Sequence, residues 1–179
     1  MERPTTLILE PVAHPDPRVH RAGFSLDDPY LERCWLPVLG PTSVLMLRRM
    51  PLMWQRDPAV GVPVDELAAV LGLNGTGRNS PVWRTVDRLV RFNFANRVSD
   101  SYVEVYTEVP PLGSRHLAGL PQSVRDAHHE LLGAHIARLG LGSVVSMPQA
   151  STPAPVVEQL VDVRHPSIAG NGASSGLSR

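Results

Sequence analysis

The chain has no lysine, a single cysteine, few aromatic residues and no long apolar run. Each shortage excludes something. One cysteine, Cys34, cannot form an internal disulfide, and its setting in "LERCWLPVL" fits a buried thiol on a core helix. The run "TLIL" near the N-terminus is too short for a membrane span or a signal peptide, so a soluble, cytoplasmic protein with no membrane partner is expected. There are three each of Trp, Tyr and Phe, all between Phe24 and Tyr106, which is where the core is expected. Gly140 to Arg179 carries no aromatic, and 16 of those 40 residues are Gly, Pro or Ser. That composition buries too little apolar surface to offset the entropy of ordering, so a disordered tail is expected over 140–179. Residues 1–25 hold four prolines and little periodicity, and read as an extended or disordered arm with at most a short strand at Thr6–Glu10.

The missing lysine leaves 17 basic residues that are all Arg, matched by 17 acidic ones for a formal charge of zero. A zero sum argues against a broadly basic protein, but the distribution decides what a surface binds. Arg78, Arg84, Arg88, Arg91 and Arg97 accompany one acid, Asp87, between positions 78 and 97. Each is a planar, permanently charged fork that suits phosphate and guanine edges.

The stretch "LGLNGTGRNSP" invites a nucleotide reading, because Gly72, four residues and Gly77 approach the phosphate-binding loop. Arg78 stands where that loop needs lysine, and Asn79 where it needs a hydroxyl for magnesium. The loop must also follow a buried strand, whereas "DELAAVLG" has helical spacing. The nucleotide reading fails on all three.

Helical signals organise the rest. Asp28 and Pro29 can open a helix that Pro37 interrupts, and Pro41 opens another with Leu45, Leu47 and Met50 available for burial. "GVPV" suggests a short strand before "DELAAVLGL", with Asp65 as cap and Gly72 as a left-handed stop. Ser80 caps and Pro81 opens "VWRTVDRLVRF", where Val82, Val86, Leu89 and Val90 share one side. Arg84, Arg88 and Arg91 fall within about 60° of one another on the opposite side. "NFANRVSDSYVEVYTEVPP" then alternates as two strands around Ser99–Ser101. Ser123 is read as the cap of a last helix that ends at Gly140.

This order resembles a winged helix-turn-helix DNA-binding domain over Pro41 to Val109. "VDELAAVLGL" corresponds to the supporting helix, "SPVWRTVDRLVRF" (residues 80–92) to the recognition helix, and "ANRVSDSYVEVY" within 95–107 to the wing. The connection Leu73–Asn79 is longer than the three- or four-residue turn of the simple motif, a length that winged domains tolerate. The resemblance implies a mainly α fold with a small β-hairpin, a domain over 26–139 that includes the C-terminal helix, and a non-enzymatic regulator of transcription. It implies double-stranded DNA as partner. Expected contacts are Arg78, Asn79, Ser80, Arg84, Thr85, Arg88, Arg91 and Arg97, to phosphates or base edges. The other reading is a protein–protein interaction module on the same fold, favoured by Glu104 and Glu108 on the wing strand. The apolar side of residues 122–139 fits either a homodimer contact or packing on its own domain.

No other chemistry is readable. His128 and His135 share a helix face roughly 10 Å apart, too far to chelate one ion alone, so no metal or cofactor is expected. No serine or cysteine has the context of a nucleophile.

Overall fold

The computed structural model describes residues 4–57, 61–75 and 80–140. It is a mixed α/β fold. Strand β1 (Thr6–Val12) is followed by helix α1 (Pro17–Ala22) and strand β2 (Phe24–Ser25). A π-helical turn (Leu31–Trp35) leads into α2 (Leu36–Leu39) and α3 (Pro41–Trp54). Strand β3 (Gly61–Pro63), α4 (Val64–Val70) and α5 (Pro81–Arg91) precede the hairpin β4 (Ala95–Arg97) and β5 (Tyr102–Tyr106). Strand β6 (Glu108–Val109), α6 (Ser114–Leu117) and α7 (Gln122–Arg138) complete the described chain.

The largest departure from the sequence reading is at the N-terminus. The short strand read at Thr6–Glu10 is present as β1, but residues 6–25 are not an arm: β1 is an interior strand of a four-stranded sheet ordered β3-β1-β5-β4. It runs antiparallel to β3 and parallel to β5, from Ile8 opposite Tyr102 to Val12 opposite Tyr106. Leu7 and Leu9 are buried on the inner side, and the indole Nε1–H of Trp54 on α3 donates to the Leu9 carbonyl at 2.7 Å. The alternation Leu7, Leu9 is the ordinary half-buried strand pattern; Pro4, Pro15 and Pro17 lie outside the strand, and Pro11 is its penultimate residue, registered against Val105. A small hairpin is therefore the outer half of a larger sheet, completed by a distant segment.

Pro37 does not end its helix. Asp28 caps the run by accepting from the Tyr30 N–H at 2.8 Å, and the π-helical turn just before Pro37 carries the backbone past the missing donor. Gly72 ends α4 with φ +67°, as its position suggests. In α4 the N-cap is Pro63 and in α7 it is Pro121, so Asp65 and Ser123 lie inside their helices and do not cap them.

The core lies between the helices and the inner sheet face. Trp83, Phe94, Val103 and Val105 meet there with Leu31, Trp35, Met46 and Leu47. Cys34 is sealed in this core, and burial pushes its thiol up to about 11, so it is an inert packing residue. Leu45 is 43% exposed, while Ser43, Val44 and Met46 turn inward. Helix α7 turns its apolar side onto its own domain: Ala127 and His128 are buried, and Leu131 and Leu132 pack against the core. His135 stacks on Phe24 with centroids 4.1 Å apart. The side of 122–139 considered for a homodimer is thus engaged within the chain. Among the described residues no helix is long and apolar enough to cross a membrane.

Candidate nucleic-acid interface

Helix α5 starts because the Ser80 hydroxyl accepts from the Val82 N–H at 3.2 Å and Pro81 supplies a preset φ. Val82, Trp83, Val86 and Leu89 are all buried, and each aliphatic side chain contributes about 1.5–3 kcal/mol on burial. That apolar side fixes the helix on the domain and leaves Arg84, Arg88 and Arg91 exposed on the other. Among the described residues no carboxylate pairs with any of the three.

Their settings differ. Arg88 donates to the Val38 carbonyl at 3.2 Å and lies 5.9 Å from the centroid of the Phe92 ring. Arg91 approaches the same ring at 6.0 Å. Arg84, nearer the start of α5, makes neither kind of contact among the described residues. Arg84 and Arg88 together line a groove of about 310 Å³ whose opposite wall is Leu39 to Ser43, at the start of α3.

Arg97, on β4, is held rather than presented. Its guanidinium pairs with Asp87 at 2.5 Å and lies 5.9 Å from the Trp83 ring centroid, with the side chain only 23% exposed. Asp87 therefore joins the hairpin to α5.

Two expected contacts require correction. Ser80 is 3% exposed with its hydroxyl engaged in the cap, and Thr85 is 6% exposed with its hydroxyl donating to the Pro81 carbonyl at 2.7 Å. Both hydroxyls serve the helix, and neither is presented on its outer face. Arg78 and Asn79 lie outside the described residues. The structure brings together Arg84, Arg88 and Arg91 on one surface, sets Arg97 beside them as a tether, and removes the two hydroxyls.

The sheet presents a different surface. Glu10 stands opposite Glu104 across the parallel pair β1–β5, and Asn96 stands opposite Glu104 across β4–β5. The Asn96 amide donates to Glu104 at 2.9 Å. Glutamates thus meet on the outer sheet face, while Arg84, Arg88 and Arg91 stand on the exposed side of α5. Among the described residues no group of three or more side chains could hold a metal ion.

The groove wall at Gly40–Ser43 was invisible to sequence reasoning, because no local pattern links residues 40–43 to residues 84–88. Gly40 followed by Pro41 signals only a helix start. No family model matches this chain, and no curated protein or solved structure matches it.

Proposed function

We propose that this chain is a winged helix-turn-helix protein that binds double-stranded DNA sequence-specifically and regulates transcription. Helix α5 enters the major groove, and the β4–β5 hairpin stands beside it as the wing. The carrying observation is the division of α5 into a buried apolar side and an exposed side with three guanidinium groups that form no ion pair with a described carboxylate. Such a helix is both anchored and available, which groove reading requires. Arg84, Arg88 and Arg91 are the leading contacts, to backbone phosphates or guanine edges. Arg97 fixes the wing to α5.

The test is electrophoretic shift of the full chain on random duplex, followed by selection of preferred sites and titration across salt. Binding is expected to weaken steeply with salt. Replacing Arg84, Arg88 and Arg91 together by Ala should abolish the shift, or leave a salt slope shallower by about 2 to 3, with the fold intact. Unchanged, salt-sensitive binding by that variant defeats the assignment.

A second reading, a protein–protein interaction module on the same fold, is favoured by Glu10 and Glu104, which meet on the outer sheet face. It is selected instead if wild-type protein gives no salt-dependent retention on DNA.

A further inference from the structure

The groove between α3 and α5 has features that the DNA reading does not use. Helix α3 is 14 residues long, and its N-cap is Gly40, which has no side chain to cap with. Pro41 has no N–H, and Val44 donates back to the Gly40 carbonyl at 3.2 Å. The N–H groups of Thr42 and Ser43 have no backbone acceptor among the described residues, and they sit at the positive end of the helix. Ser43 gives an independent sign. It is 2% exposed and lines the groove, and its hydroxyl makes no hydrogen bond among the described residues. Among the described residues no sealed side-chain polar atom goes without a partner, so that hydroxyl is accessible, and Ser43 lines the groove. Arg84 and Arg88 form the facing wall. Arg88 is braced there by the Val38 carbonyl, and a Cβ on Gly40 would lie 3.7 Å from its guanidinium. Donors thus converge from two elements, and no carboxylate lines the space.

We propose that this groove seats one phosphate group, held by the Thr42 and Ser43 N–H groups, the Ser43 hydroxyl and the guanidiniums of Arg84 and Arg88. Backbone amides at a helix start together with arginine forks form a phosphate receptor. That the phosphate belongs to a DNA backbone rests on the function proposed above; the seat itself does not. In the DNA case it is a register contact, which fixes how α5 lies in the groove without reading sequence.

The experiment uses the isotope-labelled full chain, titrated with inorganic phosphate against chloride at matched ionic strength, and separately with random duplex. Shifts of the Thr42 and Ser43 amides with both ligands, at far lower duplex than phosphate concentration, are the expected result. Ser43→Ala should weaken duplex binding about five- to tenfold with an unchanged salt slope, because the lost donor is neutral. Arg84→Gln should weaken it and lower the slope by about 0.9. If phosphate moves those amides but duplex does not bind, the DNA reading falls and the seat stands for a free phosphate ester. If duplex binds through α5 while Thr42 and Ser43 stay unmoved, the seat is overturned and the DNA reading survives. If neither ligand moves them and duplex does not bind, both are overturned. The wild-type shifts decide even if Ser43→Ala is poorly folded.

Discussion

Asp87 is the one acid on the arginine-bearing stretch, and replacing it by Asn separates its two effects. The first is structural. Its pair with Arg97 is 2.5 Å long, with side chains 48% and 23% exposed. A pair this accessible is worth about 0.2–1 kcal/mol once solvent screening and side-chain entropy are counted. The contact of Arg97 with the Trp83 ring is present with or without the Asp87 carboxylate and cancels from the difference. Asp87→Asn should therefore cost no more than about 1 kcal/mol in urea denaturation, with an unchanged denaturant slope.

The second effect concerns charge. Arg84 and Arg91 lie three and four residues from Asp87, so their side chains are helix neighbours of its carboxylate. A unit charge roughly 6 Å away in water is worth about 0.7 kcal/mol, less at physiological salt. Removing it raises the positive potential of α5, and the variant should bind duplex up to about threefold more tightly, with a salt slope steeper by about 0.9. Fluorescence anisotropy across a salt series reads both quantities. Weaker binding at unchanged stability would refute the reasoning, since it would mean that Asp87 takes part in recognition or that DNA lies elsewhere.

A Cβ added by Gly40→Ala would stand at ordinary contact distance from the Arg88 guanidinium, 3.7 Å, but on a backbone at φ +77°, ψ 159°, a conformation reserved almost wholly for glycine; a loss of about 1–3 kcal/mol in thermal or urea unfolding is expected. Trp54→Phe removes the donor to the Leu9 carbonyl and should cost about 1 kcal/mol, with faster hydrogen exchange in β1 than in α5. The Tyr30 hydroxyl accepts from the Leu112 N–H at 2.8 Å and is hydrogen-bonded to His128 Nδ1 at 2.6 Å. Burial, then the neighbouring His129, lowers the His128 pKa. The folded state thus prefers the neutral ring, and stability should fall as pH drops below the unfolded value near 6.5, by at most about 1.4 kcal/mol per pH unit. His128→Asn should remove that slope; an equally steep slope in the variant would show that other groups carry it.

What the sequence made legible is what local pattern encodes. Ser80–Pro81 marked the start of α5, the spacing of Val82, Val86 and Leu89 marked its buried side, and Val103 and Val105 marked the inner face of β5. These signals lie within a few residues of the structure they specify. What stayed hidden depends on partners far along the chain. Strand β1 became a strand by pairing with β3 and β5, and nothing near Thr6–Val12 announces either neighbour. Thr85 was read as a contact because threonine is polar, yet its hydroxyl satisfies the carbonyl four residues back, a common resolution for threonine in helices. Arg97 was read as a contact because it is charged, yet Asp87 is ten residues away and reaches it only after the hairpin folds back on α5.

The position of β1 also bears on which surface can face a polyanion. By adding a parallel neighbour to β5 it sets Glu10 beside Glu104, with like charges in adjacent strands. Glu104 is shared with the Asn96 amide, and Glu10 has no cation partner among the described residues. The two surfaces therefore differ in sign, with three guanidiniums on the exposed side of α5 and the carboxylates of Glu10 and Glu104 on the outer sheet. In the DNA reading the duplex must lie along α5 and the start of α3, with the outer sheet turned away, because phosphates against Glu10 and Glu104 would meet like charge. Replacing both glutamates by Gln should therefore change duplex affinity by less than about threefold, since charges beyond a Debye length of about 8 Å are largely screened. A larger gain in affinity would place the sheet face at the DNA and overturn this orientation.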